Sequence, residues 1–136
     1  MEKKCVMVID SELPLGLIAN TSAVLALTLG KKFEGIIGSV VVDGDSQTHE
    51  GITTTPIPIL KGSGAMIKEL RETISSHYPD LFLVDFSNVA QITKNYDEYM
   101  NKIASFTSND FEYLGIAVYG NKKHVNKLTG SLPLLR

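Results

Sequence analysis

Cysteine is scarce in this sequence, since the 136 residues contain only Cys5. A disulfide within the chain is therefore excluded, and because Cys5 lies in an apolar, strand-like run, we expect a buried thiol. The three histidines, His49, His77 and His124, lie far apart and lack the spacing of metal ligands. Phosphate-loop, nucleophile-elbow and dinucleotide motifs are missing as well. The sequence thus predicts neither a metal site nor a cofactor.

An excess of positive charge is also lacking, because 13 Lys and Arg stand against 15 Asp and Glu, a formal net charge of -2 at pH 7. Binding to tRNA depends on lysine and arginine contacts to phosphates, so this balance disfavours tRNA as a partner. Hydrophobic residues make up 43% of the chain, enough to bury a substantial core. No repeat or linker interrupts the sequence, and we expect one domain over residues 1–136.

Charged residues are missing altogether from the segment 13–30. A membrane span is disfavoured, because Pro14 and Gly16 lie at its start and polar side chains interrupt the rest. A signal peptide is disfavoured too, since an acidic, strand-like segment precedes the apolar run and no cleavage site follows. We therefore expect a cytoplasmic protein that does not enter a membrane.

The uncharged segment is expected to form a helix over residues 15–32, ending near Gly30 with Lys31 and Lys32 at its carboxyl end. A helix with no charged face is usually buried all round. The sheet is expected to cover one face, and either other helices or a second subunit the remainder. Packing within one domain and a homodimer are both open alternatives.

Strand-like and helix-like segments alternate along the rest of the chain. Strands are predicted over residues 4–10, 79–87 and 112–120, and helices over 63–77, 89–106 and 121–130. Residues 36–60 are expected to form a β-hairpin excursion that leads into an edge strand, because Pro56 and Pro58 cannot donate ladder hydrogen bonds. The alternation predicts an α/β protein, a three-layer α/β/α sandwich with a mixed, mainly parallel sheet.

Polar residues directly follow two of the predicted strands, where ligands collect in sheets of this kind. The first strand ends at Asp10 and another ends in the run Asp85-Phe86-Ser87-Asn88, so we predict that the two ends form one polar pocket. Asp85 is the candidate catalytic carboxylate, able to position water or act as a base. Local capping of the next turn or helix is the alternative role for these groups. The ligand-binding candidates are Asp10, Asn20, Thr21 and Ser87.

A second polar cluster lies at residues 43–56, where His49 and Glu50 occur close to Asp43 and several hydroxyls. A nucleophile and a base are both available in such a set. The alternative is an exposed hairpin tip whose Asp, Gly, Ser and Thr residues serve turn geometry. His49 is kept as a further ligand-binding candidate.

Both ends of the chain resemble type II peptidyl-tRNA hydrolases. The segments that carry the resemblance are Val8-Ile9-Asp10, Gly16-Leu17-Ile18-Ala19, Leu114-Gly115-Ile116 and Leu128-Thr129-Gly130-Ser131-Leu132. The whole sequence looks closer to a family of small bacterial domains of unassigned function that is similar to those hydrolases. The resemblance implies an α/β/α fold around a mixed four-stranded sheet and a homodimer. Asp85 matches the family aspartate, whereas Leu17 replaces an important lysine, so the cation for a phosphate or an ester carbonyl is lost.

Three functions follow from these observations. The first is binding of a small polar ligand on this scaffold, with hydrolysis of an ester bond at Asp85 if the protein is an enzyme. The second is a non-catalytic, homo-oligomeric binding or assembly domain. The third is hydrolysis of peptidyl-tRNA or a related ester, with phosphate contacts from lysines at new positions. Those lysines are Lys31, Lys122, Lys123 and Lys127.

Overall fold

The computed structural model of the protein describes residues 2–136. The strands are β1 (Lys3–Asp10), β2 (Val41–Val42), β3 (Thr48–His49), β4 (Ile59–Gly62), β5 (Phe82–Ser87) and β6 (Tyr113–Asn121). The helices are α1 (Leu15–Lys32), α2 (Gly64–His77), α3 (Asn88–Ile92), α4 (Tyr96–Ser105) and α5 (Lys122–Thr129). The predicted alternation of strands and helices is confirmed.

Four strands form one mixed sheet in the order β4-β1-β6-β5. β1 and β4 are parallel, whereas β6 runs antiparallel to both of its neighbours, β1 and β5. The expectation of a mainly parallel sheet is wrong, because β6 returns through the middle of the sheet and separates β1 from β5. β4, β1 and β5 still point the same way, so their carboxyl ends lie at one edge of the sheet.

Helices cover both faces of this sheet. On one face Leu25 and Leu29 of α1 pack against Met7 and Ile9 of β1. The opposite face is covered by α2 and α5, and its buried core is Val6, Val8, Leu60, Ile67, Ile74, Leu81, Tyr113, Ile116, Val118 and Val125. These two apolar layers confirm the α/β class and place helices on either side of the strands.

Helix α1 is not buried all round. Its buried residues are Thr21, Leu25 and Leu29, a single stripe at helical spacing that faces the sheet. Leu15 and Leu27 are 83% and 76% exposed, so the expectation that other helices of the chain cover the rest of α1 is wrong. We call the exposed, uncharged side the α1 face, and its residues are Leu15, Gly16, Ala19, Asn20, Ala23, Leu27 and Thr28. Within residues 2–136 no helix has the length and apolarity needed to cross a membrane.

The excursion between α1 and β4 is a hairpin, as predicted. β2 and β3 pair antiparallel, and a bridge from Ile37 to Thr53 closes its base. A side chain at Gly51 would collide with the backbone of Gly38, since an added Cβ would overlap the Gly38 carbonyl oxygen. The two segments therefore cross in close contact at the base of the hairpin.

The predicted helix over 89–106 is two helices in the structure. α3 ends at Ile92, and the side chain of Asn95 accepts a hydrogen bond from the Glu98 N–H at 2.8 Å and so begins α4. Asparagine is a preferred N-terminal cap because its side chain replaces the missing hydrogen-bond partner of the first turn. The prediction of one continuous helix missed this cap.

The two edges of the sheet differ. The outer edge of β4 is covered by the carboxyl-terminal segment, because the Lys61 N–H donates to the Pro133 carbonyl at 2.8 Å and the Leu135 N–H to the Ile59 carbonyl at 2.9 Å. The outer edge of β5 borders a cavity instead. A covered edge cannot pair with another chain.

Candidate functional site

A cavity of about 450 Å³ opens at the edge of the sheet where β4, β1 and β5 end. We call it the carboxyl-end cavity. β1 contributes Asp10, α2 contributes Lys68 shortly after β4, and α3 contributes Asn88 directly after β5. The other principal lining residues are Gln91, Phe111 and Tyr113. The two predicted strand ends do meet here, through Asp10 and Asn88.

Asp10 is half-buried at the last position of β1. Its Oδ1 accepts a hydrogen bond from the Glu12 N–H at 3.0 Å, so one oxygen serves the local turn. Its Oδ2 faces the start of α2, where a Cβ added at Gly64 would lie 3.9 Å away. The Ser63 side chain caps that helix by accepting from the Met66 N–H at 3.2 Å. The cap and the turn hold Asp10 and the first turn of α2 in a defined arrangement.

Lys68 lies four residues after Gly64, on the same side of α2. Its Nζ donates to the Phe111 carbonyl at 3.2 Å, which leaves two of its three N–H donors for other partners. Asn88 has a supporting role, because its Oδ1 accepts from the Glu112 N–H at 3.1 Å and its Nδ2 donates to the Asp110 carbonyl at 3.3 Å. These bonds tie the segment before β6 to the cavity wall.

Two aromatic rings form the apolar side of the cavity. Phe111 and Tyr113 stack with their ring centroids 5.7 Å apart and an angle of 10° between the rings. The Arg71 guanidinium lies 5.3 Å from the Tyr113 centroid, a favourable cation–π distance. Burial raises the pKa of the Tyr113 phenol above its ordinary value, against the opposing effect of Arg71. Tyr113 therefore stays neutral at physiological pH.

The described residues that line the carboxyl-end cavity include no serine, threonine, cysteine or histidine. A serine, threonine or cysteine nucleophile with an adjacent histidine base is thus missing from this wall. Elsewhere in residues 2–136, no three His, Cys, Asp or Glu side chains gather as metal ligands would. The arrangement of charged groups, amides and aromatic rings suits the binding of a polar molecule.

A second cavity of about 480 Å³ lies along the outer edge of β5, and we call it the edge cavity. It is bordered by α1, by the outer strand and by the α3–α4 turn, and its principal lining residues are Thr28, Val84, Asp85, Thr93, Tyr96 and Tyr99. The Asp85 Oδ2 accepts a hydrogen bond from the Arg71 Nε at 2.9 Å. In this ion pair the Arg71 side chain is about one-third exposed and the Asp85 side chain about one-fifth. Burial, and then the charge of Asp85, raise the pKa of Tyr99.

Comparison with known proteins identifies the family. A model of a family of proteins of unknown function, DUF2000, matches residues 3–136. The chain belongs to the DUF2000 family. A solved structure of a protein of unknown function, Atu0240 from Agrobacterium tumefaciens, is similar, with a TM-score of 0.88 and 16% identity over 98% of each chain. At this identity the likeness shows a shared fold. No curated protein matches the chain.

Membership of the DUF2000 family confirms the prediction of a family of unassigned function. The similarity to type II peptidyl-tRNA hydrolases stays a prediction. The family is one of unknown function.

The DUF2000 chain does not gather all the predicted site residues in one pocket. Asp10 lines the carboxyl-end cavity and Asp85 the edge cavity. Asn20 is exposed on the α1 face. Thr21 is fully buried against the sheet, and its hydroxyl donates to the Leu17 carbonyl at 2.7 Å. Ser87 is also buried, and its Oγ has no hydrogen-bond partner within residues 2–136.

His49 lies on the exposed hairpin and not beside either cavity. Its Nε2 is 2.8 Å from the Asp43 Oδ2. This hydrogen bond, together with the N–H groups of Gln47 and Asp45, lowers the pKa of Asp43. The contact stabilises the turn, which agrees with the hairpin-tip interpretation of this segment.

Cys5 is buried in β1, as expected. Burial raises the pKa of its thiol to about 11, because the thiolate would lose its hydration. The thiol is therefore an inert core group at physiological pH.

Sequence reasoning missed Lys68 and Phe111. Lys68 lies on an ordinary amphipathic helix, where a lysine usually marks the solvent side. One signal was available. Ser63 directly follows β4 and caps α2, and Gly64 and Lys68 lie on the same side of that helix. Phe111 lies just before β6 and 43 residues after Lys68 in the sequence. No local sequence pattern links the two residues.

Proposed function

We propose that this DUF2000 protein binds a small polar molecule in the carboxyl-end cavity. The observation that carries the proposal is that a carboxylate, an ammonium group and a stacked aromatic pair line one cavity at the carboxyl ends of three co-directional strands. A volume of about 450 Å³ falls in the range of small-molecule sites. Ligands of α/β proteins bind at this edge of the sheet.

The position of the supporting groups strengthens the proposal. Asn88 and Ser63 use their side chains to hold the cavity walls rather than to fill the cavity. Pre-formed walls lower the entropy cost of binding, because little of the site has to be ordered by the ligand. The side chains of Asn88 and Ser63 therefore stabilise the walls of the carboxyl-end cavity.

Blocking the cavity tests the proposal. A library of small amines, acids, amides, sugars and zwitterions is screened against the protein by ligand-detected NMR. The Ala65→Trp variant places an indole at the mouth of the carboxyl-end cavity, on an exposed residue of the first turn of α2. The matched control, Thr28→Trp, places the same indole on an exposed residue that lines the edge cavity.

Binding of the library ligands is expected to fall at least about tenfold in Ala65→Trp and to be unchanged in Thr28→Trp. Circular dichroism confirms that both variants are folded. Loss of binding in Thr28→Trp alone would place the site in the edge cavity. A complete lack of ligands for the wild-type protein would refute the proposal.

The α1 face supports a second candidate, self-association as a homodimer. Leu15, Ala19, Ala23 and Leu27 follow one another at helical spacing and are exposed, and the face carries no charge. Exposed apolar surface of this kind is typical of interfaces. The alanines allow the backbone of a second copy to approach closely, so we propose α1 packing against α1 across a twofold axis.

Light scattering over a range of protein concentrations tests the dimer. Ala23→Arg introduces a charge at the centre of the α1 face and is expected to shift the dimer to monomer. Ser76→Arg adds the same charge on an exposed position of α2 and is expected to leave the dimer intact. A wild-type protein that stays monomeric at high concentration would rule the dimer out.

Ester hydrolysis at Asp85, including hydrolysis of peptidyl-tRNA, stays a prediction from the sequence. The ion pair with Arg71 occupies one oxygen of Asp85, and Leu17 supplies no cation. Turnover of a peptidyl-tRNA analogue that falls in Asp85→Asn would support the hydrolytic role.

A further inference from the structure

Asp10 and Lys68 bring opposite charges to the carboxyl-end cavity without pairing with each other. Residues 2–136 contain four side-chain ion pairs, which are His49–Asp43, Arg71–Asp85, Lys122–Glu2 and His124–Asp80. Neither Asp10 nor Lys68 belongs to them. Opposite charges that share a cavity but remain apart leave room for a molecule between them.

Each of the two groups has unused hydrogen-bonding capacity. Oδ1 of Asp10 is taken by the Glu12 N–H, while Oδ2 accepts no hydrogen bond from the described residues and faces the start of α2. The Nζ of Lys68 uses one donor on the Phe111 carbonyl. A ligand can therefore reach one acceptor and two donors without breaking a contact of the protein.

Two other carboxylates lie near Lys68. Asp110 is bonded through its Oδ2 to the N–H and the hydroxyl of Thr107, which lower its pKa, and Lys68 adds a smaller lowering effect. Glu112 lines the cavity and is exposed. Carboxylates therefore outnumber ammonium groups around the carboxyl-end cavity, and a ligand that carries only negative charge is disfavoured.

A ligand with one charge would satisfy only half of this cavity. A carboxylate bound to Lys68 would face the unpaired Asp10, and an amine bound to Asp10 would face Lys68. Like charges at short distance and charges left unpaired on desolvation both lower affinity. A ligand with both charges avoids these costs.

We infer that the carboxyl-end cavity binds a zwitterion of the amino-acid type, an inference that rests on the proposed function. The ammonium group of the ligand pairs with Asp10 and its carboxylate with Lys68. Its hydrocarbon part packs against Phe111 and Tyr113, whose stacked rings form the apolar wall. Charge recognition at two points together with an apolar contact fixes the orientation of such a ligand.

Matched probes test the charge requirement by isothermal titration calorimetry and ligand-detected NMR. Phenylalanine is compared with phenethylamine and 3-phenylpropionic acid, which each keep the ring and lose one charged group. Alanine, ethylamine and propionic acid form a smaller set, so that a misfit of the ring is recognised. The zwitterion of at least one set is expected to bind at least about tenfold more tightly than its amine and its acid.

Two variants assign the charges. Asp10→Asn is expected to weaken the zwitterion and the amine about tenfold and to strengthen the acid, which no longer faces a carboxylate. Lys68→Met is expected to weaken the zwitterion and the acid and to strengthen the amine, which no longer faces an ammonium group. Asp45→Asn on the exposed hairpin and Lys94→Met at the edge cavity are controls that are expected to leave all affinities unchanged. Thermal unfolding of each variant confirms that the protein is folded.

The outcomes separate this inference from the proposed function. The inference would be overturned if in neither set the zwitterion binds more tightly than both its amine and its acid. Zwitterion affinity that is unchanged in both Asp10→Asn and Lys68→Met would overturn it as well. Library ligands that are blocked by Ala65→Trp while no zwitterion binds would overturn it too and leave the proposed function standing. If the library and the probes all fail to bind, both are wrong.

Discussion

The two cavities beside β5 differ in whether their charged side chains form ion pairs within the protein. In the edge cavity Asp85 is joined to Arg71 at 2.9 Å, so its charge is neutralised within the protein. In the carboxyl-end cavity Asp10 and Lys68 remain apart, and each keeps hydrogen-bonding groups for a partner. A carboxylate at a strand end is therefore weak evidence for a site until its partner is known. The comparison favours Asp10 over Asp85 as the ligand contact.

The largest effect on stability is expected from breaking the pair at the edge cavity. Arg71→Met removes the guanidinium from both Asp85 and the Tyr113 ring and leaves the carboxylate half-buried without a partner. The free energy of unfolding is expected to fall by about 1 to 3 kcal/mol, less than for a fully buried pair because water reaches part of it. Urea unfolding measures the loss.

Lys94→Met, an exposed change at the same cavity, is the control and is expected to lie within about 0.5 kcal/mol of wild type. Arg71→Met as stable as the control would show that the Arg71–Asp85 pair is not structural. The two cavities would then no longer differ in the way described above.

A smaller effect of opposite sign is expected at Ser87. Its buried hydroxyl has no partner within residues 2–136, and a buried polar group without a hydrogen bond lowers stability. Ser87→Ala is expected to raise the free energy of unfolding by about 1 kcal/mol and to leave ligand affinity unchanged. A fall in affinity would instead restore Ser87 as the predicted ligand contact.

Thr21 is expected to matter for packing alone. Thr21→Val removes the hydroxyl that bonds to the Leu17 carbonyl and keeps the branched shape that packs against the sheet beside Gly115. The loss is expected to be about 0.5 to 1 kcal/mol, the value of one ordinary hydrogen bond. Calorimetric titration of a library ligand should give the same affinity as for wild type, and a weaker affinity would contradict the structural role.

The smallest effect concerns the hairpin, away from both cavities. The His49 hydrogen bond lowers the pKa of Asp43, so Asp43 stabilises the turn at pH values above its ordinary pKa and this contribution is lost as the pH falls through the lowered value. In His49→Ala the pKa of Asp43 is expected to rise toward its ordinary value. NMR titration of the Asp43 carboxyl measures the change, and an unaltered pKa would show that the His49 contact is absent in solution.

The sequence predicted local structure better than it predicted neighbours. β1, α2, β5 and α5 follow from apolar periodicity and from caps, which depend on residues a few positions apart. Local patterns could not predict the direction of neighbouring strands. β6 lies between β1 and β5, which are distant from each other in the sequence. The break between α3 and α4 was readable in principle, since Asn95 is a good cap.

Only part of the candidate site could be predicted, because some of its contacts join residues that are distant in the sequence. The meeting of two strand ends follows from the rule on carboxyl ends and placed Asp10 at a cavity. The Arg71–Asp85 pair joins a helix to a strand, and the Lys68–Phe111 contact joins a helix to a distant loop, so neither leaves a local pattern. The exposure of α1 was misjudged because a helix without charged residues was expected to be buried all round, whereas only Thr21, Leu25 and Leu29 are buried.

The most direct test of the central claim is an amide NMR titration of the isotopically labelled protein with a ligand from the screen. The account predicts that shifted signals cluster at Asp10, at residues 64–68, at Asn88 and at residues 111–114, the segments around the carboxyl-end cavity. Shifts confined to residues 84–86 and 93–99, the segments around the edge cavity, would contradict it.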